Sequence, residues 1–348
     1  MKTSAVIVMC GSAFAALAAE LDMDLLDAMG KDRTRWVAHS RGAEARECFR
    51  VVDSDGTAVS NASVCCAFKV SAGGSGFKSV YGDTDVNGLC TIIGTCKAYM
   101  DYCVEKDSFY SSCGKIDYME THSVPAVIDG RWQPYGETRT VVLKRIKNPI
   151  RLRDPDARCR HKYPEPGKWT GFDLEVCDWV PPLGNGIHSD MQVRYTHELR
   201  PDGHFKALDV SFADNPYAGA CLKTRDTYSE MDSVYEASTN AEYASVLRYE
   251  FERTVKGNHV ISGLGRDQYL VFRTRTRVDG DGNLVSAHYG RIMGDWQYVE
   301  KGGMSFGPVF FNPTPNDTNL EDAETARRAR LSYRQRQELE WRRKNGLR

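Results

Sequence analysis

The sequence predicts a mainly β protein: an N-terminal Ig-like antiparallel sandwich, a second mostly antiparallel β domain and a C-terminal α-helix. Three observations carry this. Short β-branched or aromatic segments recur between residues 45 and 146, separated by Gly- and Asp-rich turns. Tyr269–Val278 alternates apolar or aromatic residues with Arg and Thr, then meets Asp279-Gly-Asp-Gly-Asn283. From Glu321 onward the chain is Arg-rich, with acids gathered at its start.

The elements follow in order. Residues 1–19 read as a secretory signal peptide: Lys2, an apolar run from Ala5 to Leu17, and a small-residue Ala-Leu-Ala-Ala ending at Ala19. That run is too short to span a bilayer, and no later one is long enough, so no transmembrane segment is expected after cleavage. Residues 20–44 form a short helix and linker, with Leu21, Leu25, Ala28 and Met29 at helical spacing.

The first compact region, 45–146, holds strand candidates at Phe49–Val52, Ser63–Val70, Leu89–Ile93, Tyr99–Lys106 and Thr138–Lys144. Its turns fall at Asp53–Gly56, Gly73–Gly76 and Asp85–Gly88. The Pro- and charge-rich stretch 147–168 reads as a linker, and 169–312 as a second β-rich domain. Within it, Tyr243–Glu252 suits either a helix or a strand. The Arg and Thr side of Tyr269–Val278 is expected to face solvent or a polar partner. Residues 313–348 form a linker and a charged helix, capped by Asn319 and running through Arg327–Arg343, with Ala326, Ala329, Tyr333 and Trp341 as its docking stripe.

Composition and charge remove several function classes. The formal net charge is −1 over 348 residues, so the whole-protein field attracts neither nucleic acid nor anionic membrane. The tail from Glu321 carries nine basic residues against five acids, yet the interleaved Glu338 and Glu340 dilute it. It reads as a solvated helix lying on the acidic body, with an acidic partner or anionic surface as the alternative, rather than as a nucleic-acid site. Oligomeric state is not legible.

An exported chain makes its cysteines disulfide candidates. Cys10 lies in the signal, leaving Cys48, Cys65, Cys66, Cys90, Cys96, Cys103, Cys113, Cys159, Cys177 and Cys221. Seven crowd between 48 and 113, so at least one stays free or pairs outside that cluster, and connectivity is open. A zinc site is the weaker reading, because the spacings lack two close Cys-x2-4-Cys pairs.

Val51–Val64, Thr84-Asp-Val-Asn-Gly-Leu89 and Tyr102–Tyr110 follow one another in an order and spacing that resemble the carboxypeptidase regulatory-like domain. This is a transthyretin-like β-sandwich common in secreted bacterial proteins. The resemblance covers about residues 45–146 and implies a non-catalytic spacer, partner-binding or fold-supporting module. The remainder resembles no family.

Site candidates are sparse. Asp83, Asp85 and Asn87 copy the start of a calcium loop, but position twelve is Gly94 and the flanks read as strands, so a plain turn is favoured and no metal is assigned. His188-Ser-Asp190 and His197-Glu198 place catalytic residue types side by side without a recognised motif. Gly263-Leu-Gly265 has Gln268 where a dinucleotide fingerprint needs glycine, so no cofactor is expected and catalytic residues stay unassigned. Trp169, Trp179, Tyr195, Tyr217, Trp296 and Tyr298 read mostly as core, with sugar stacking as the alternative.

The expectation is a secreted or periplasmic/cell-envelope protein, more a non-enzymatic binder of a protein or glycan partner than an enzyme. The alternatives are a hydrolase of polysaccharide or peptide with its site in the second domain, and a structural spacer.

Overall fold

A computed structural model describes residues 6–8, 23–71, 76–154, 159–163, 165–212, 217–225, 228–254, 257–265, 267–294, 297–299 and 303–331. It is mainly β, and it divides into two compact units. Ala19–Lys147 with Thr227–Asp232 and the described residues from Glu324 onward form the first; Met1–Ala18, Asn148–Asp226 and Ser233–Ala323 form the second.

Within the segment read as a signal peptide, Val6–Val8 is a short strand, β1. The first unit then opens with helices α1 (Met23–Lys31) and α2 (Arg33–Arg41). Asp32 caps α2, its carboxylate accepting from the Thr34 amide, and Gly42 closes the helix at φ +89°.

Nine strands follow: β2 (Ala43–Asp53), β3 (Ser63–Lys69), β4 (Phe77–Asp83), β5 (Leu89–Cys96), β6 (Tyr99–Glu105), β7 (Ser112–Asp117), β8 (Val127–Ile128), β9 (Arg131–Trp132) and β10 (Thr138–Leu143). One sheet runs β10-β2-β9-β8, with β5 also paired to β2; the other runs β4-β3-β6-β7. Most pairs are antiparallel, while β10 runs parallel to β2. Alternate residues of β2, β3, β5 and β6 (Phe49, Val51, Val64, Phe68, Ile92, Met100, Val104) point inward into one apolar cluster.

Each strand expected in this region exists. Three longer elements escaped the sequence reading: β4, β7 and the second helix. Strand β4 lies at a sheet edge and exposes most of its residues, so it lacks the alternation of a half-buried strand.

The second unit contains β11 (Cys159–Lys162), β12 (Thr170–Asp173), β13 (Asp178–Trp179), β14 (Met191–Arg200), β15 (Gly203–Phe212), β16 (Gly219–Thr224), β17 (Val246–Thr254) and β18 (Gly257–Ser262). It continues with β19 (Gln268–Val278), β20 (Leu284–Met293), β21 (Gln297–Val299), β22 (Gly303–Phe306) and β23 (Val309–Phe311). A seven-stranded sheet (β1-β17-β15-β14-β12-β13, with β18 on β17), a four-stranded sheet (β16-β19-β20-β23) and a small β11-β22-β21 sheet share one core. Val193, Leu208, Val210 and Tyr249 meet Leu270, Phe272, Ile292 and Phe311 there. The ambiguous stretch 243–252 resolves as strand from Val246 onward, the start of β17.

Two expectations need correcting. Asn319 does not cap the last helix: its Oδ1 accepts from the Glu321 amide, and helix α3 starts only at Ala323 and ends at Ala329. Tyr333, Trp341 and the expected course to Arg343 lie outside the described residues. The Arg side of β19 is not open either. Arg273 is buried, donating to the carbonyls of Tyr217 and Thr239 and lying over the Tyr243 ring. The cause is a second apolar cluster (Tyr243, Tyr269, Val271, Tyr289, Leu320) that covers the other face of β19 and β20.

Candidate functional site

The outer face of β4-β3-β6-β7 in the first unit carries exposed aromatic side chains from two strands. Side chains opposite one another in a sheet share a face, so the register builds it directly. Phe77 pairs with Lys69, Ser79 with Ala67 and Tyr81 with Cys65; Ala67 pairs with Asp101, Asp101 with Lys115, and Tyr99 with Asp117. The Phe77 and Tyr99 rings meet edge to face at 5.8 Å. The Lys69 ammonium stands 4.8 Å over the Phe77 ring, and that of Lys115 stands 4.2 Å over Tyr99. Tyr81 keeps 68% of its surface exposed and Phe77 40%.

Charge is arranged among these rings. The Lys115 Nζ donates to the Asp117 carboxylate at 2.6 Å, which raises the lysine pKa. Burial raises the pKa of Asp101 against the opposing pull of Lys115 and Lys69. A face of flat rings flanked by ammonium and carboxylate groups suits a ligand with apolar C–H faces and many hydroxyls.

Beside this face lies a cavity of about 540 Å³ whose lining includes Glu47, Lys115, Tyr118, His122, Glu137 and Arg139. Glu47 is buried on the inward side of β2, and the Tyr118 hydroxyl donates to its Oε1 at 2.8 Å. Burial pushes the Glu47 carboxyl up, opposed by the Tyr118 hydrogen bond and by Arg139, while Glu137 adds to the rise. The Arg139 Nε is buried without a hydrogen-bond partner.

The residues singled out by sequence are dispersed. In the Asp83–Gly88 turn, Asp85 Oδ1 accepts from the amides of Asn87 and Leu89, as a plain turn requires. Among the described residues, no three His, Cys, Asp or Glu side chains gather as a metal site.

Asp190 is buried and bound by Arg275, whose guanidinium also reaches Asp173 and Glu175, while His188 is exposed. His197 Nε2 lies 3.1 Å from Nδ1 of His204, and Glu198 pairs with Arg200. Partial burial, then Lys206 and His204, lowers the His197 pKa.

Trp179 and Tyr195 are core; Trp169 is 42% exposed with Arg194 stacked on it at 4.6 Å; Tyr217 donates to the Gly282 carbonyl. Trp296 and the Tyr298 side chain lie outside the described residues. The sequence reading sought stacking aromatics in the second domain and missed Phe77, Tyr81 and Tyr99. Their signal was present in the odd-numbered spacing of Phe77, Ser79 and Tyr81.

The cysteines divide. Cys103 and Cys113 form a disulfide, and Cys177 is disulfide-bonded as well. Cys48, Cys65, Cys66, Cys90, Cys96 and Cys221 carry free thiols, so the framework is smaller than the ten candidates allowed. Strand geometry explains part of this. Neighbours Cys65 and Cys66 point to opposite faces of β3, and Cys66 is consumed by the core. The side chains of Cys10 and Cys159 lie outside the described residues.

No family model matches the chain, and no curated protein does. Among solved structures, 3-chlorocatechol 1,2-dioxygenase from Rhodococcus opacus is similar at 10% identity and a TM-score of 0.25, over 39% of this chain and 86% of that one. BcpA, the major pilin subunit of Bacillus cereus, is similar at 9% identity and 0.19, over 80% of this chain and 100% of that one. The major pilin SpaD of Corynebacterium diphtheriae gives 8% and 0.21, over 82% and 85%. Likeness this faint says nothing of what this chain binds.

Proposed function

We propose that this is an exported, non-enzymatic surface or envelope protein that binds a glycan on the outer face of β4-β3-β6-β7. The observation that carries the reading is the alignment of Phe77, Tyr81 and Tyr99 on one sheet face, with Lys69, Lys115 and Asp101 between and over the rings. Aromatic rings left half in water favour a partner that is apolar on one side and hydroxylated on the other. Export is supported by the charge, apolar run and small-residue ending of residues 1–19, and by a disulfide, which persists in oxidising compartments. The resemblance of residues 45–146 to carboxypeptidase regulatory-like domains supports a binding role over a catalytic one.

The test is a glycan array on the mature protein, followed by calorimetric titration of the best ligand. Tyr81→Ala and Phe77→Ala should each weaken binding about 3- to 10-fold, the worth of one aromatic contact. Leu199→Ala, an exposed change in the second unit, should leave it unchanged. An array without signal, or binding indifferent to both aromatic changes, overturns the reading.

A further inference from the structure

Three cysteines stand in one row across the first unit's outer sheet. Cys65 of β3 is directly opposite Cys103 of β6, and Cys103 is directly opposite Cys113 of β7. Residues paired this way have their Cβ atoms about 4.5–5.5 Å apart and point to the same face. A disulfide joins Cβ atoms about 3.5–4.5 Å apart, so a small closing of either pair bridges it. The bond occupies Cys103–Cys113, while Cys65 is a half-buried free thiol. Exchange at sulfur requires attacking, central and leaving sulfurs in line. A row of three strands with Cys103 in the middle supplies that order.

We propose that Cys65, Cys103 and Cys113 are a disulfide-exchange site, at which the bond moves between β6–β7 and β3–β6. The Cys65 thiol loses its proton to solvent, and the thiolate attacks the Cys103 sulfur. The Cys65–Cys103 bond forms as the Cys103–Cys113 bond breaks, and Cys113 leaves as a thiolate that takes a proton from solvent. One thiol and one disulfide stand on each side, so no oxidant or reductant enters. In one state the edge strand β7 is fastened to β6; in the other it is held by its hydrogen bonds to β6 and by Ile116 in the core, at the sheet edge opposite β4. The site stands independently of glycan binding.

The test uses the full mature chain, purified without reductant. Free thiols are blocked with light N-ethylmaleimide in denaturant, disulfides are then reduced and labelled with the heavy reagent, and peptides are quantified by mass spectrometry. Cys103 should be heavy throughout, and the heavy fraction of Cys65 should equal the light fraction of Cys113. In Cys113→Ser, Cys65 and Cys103 should both become heavy. The proposal is overturned by a wild-type protein in which Cys65 is entirely light, or by a variant in which both cysteines are light. The wild-type measurement decides even where the variant fails to fold.

Discussion

The Tyr118 hydroxyl donates to Oε1 of Glu47 across 2.8 Å, and so holds a carboxyl group among the inward-facing residues of β2. Ala45 and Phe49, two positions either side, are fully buried in the apolar core. Tyr118 is itself fixed by stacking on Trp132 at 5.4 Å, and the Trp132 Nε1 donates to the Cys96 carbonyl. The pair is therefore a polar insertion in an apolar layer, and its cost depends on protonation.

Burial raises the Glu47 pKa in the folded state above its ordinary 4.5. The fold therefore holds the proton more tightly than the unfolded chain does. Its stabilising contribution is complete below the unfolded pKa and is lost as pH rises through the raised folded value. Glu47→Gln keeps an acceptor for Tyr118 and never ionises. At pH 8 it should be more stable than wild type by roughly 1–3 kcal/mol, the usual cost of burying a polar group in poor company. At pH 4 the two should melt within about 0.5 kcal/mol of each other. Calorimetry at both pH values checks this, and a gap independent of pH would remove Glu47 as its source.

Arg275 binds the second unit together locally. Its guanidinium meets Asp190 at 2.9 Å, Glu175 at 2.6 Å and Asp173 at 3.3 Å, and it lies over the Phe311 ring. Asp173 in turn accepts from the amides of Glu175, Ile187 and His188, and Asp190 from that of Leu174. Arg275→Met should therefore strand two buried carboxylates and cost about 3–5 kcal/mol. Arg275→Lys should recover little of it, because one ammonium cannot replace a planar fork serving three acids. Thermal unfolding of the full chain, recorded for both variants, reads this difference.

How far such features were legible follows from where each residue points. Strands β2, β3, β5, β6 and β10 showed because β-branched or apolar residues alternate and turn residues bound them. Strand β4 did not, since an edge strand buries too little to need apolar alternation. Glu47 sits at an inward position that its charge argues against, so the cavity it lines was invisible until Tyr118, 71 positions along, was brought to it. The Arg residues of β19 promised a wet face. Whether a sheet is covered on one side or two is a tertiary fact, and Arg273 is buried because a second cluster lies over it. The aromatic face was missed because Phe77 and Tyr81 lie on the unrecognised edge strand β4, while Tyr99 belongs to β6 and joins them only through register.

The Asp85 turn behaves as backbone support. Its Oδ1 accepts from the amides of Asn87 and Leu89, both at 2.8 Å, so the oxygen a cation would need is already engaged. Millimolar calcium should leave the melting temperature of the protein unchanged. Asp85→Ala should lower stability by about 1–2 kcal/mol through the two lost acceptor contacts. Differential scanning calorimetry with calcium and with chelator gives both readings, and a calcium-dependent rise would reverse the assignment.

Gly88 separates two reasons for glycine in a turn. Its φ is +74°, and a Cβ there would stand 2.4 Å from the Val51 carbonyl oxygen, a backbone atom that cannot swing aside. Gly56 has φ +80° with nothing within 4 Å of a Cβ. Gly56→Ala should therefore cost only the left-handed conformation, about 1 kcal/mol. Gly88→Ala adds a clash with β2, whose Val51 amide donates to the Gly88 carbonyl at 2.7 Å, so relieving the clash strains that bond. It should cost about 3 kcal/mol or more, as strain at an over-determined backbone position does. Urea denaturation of the two variants measures the difference, and equal losses would mean that the turn yields without disturbing β2.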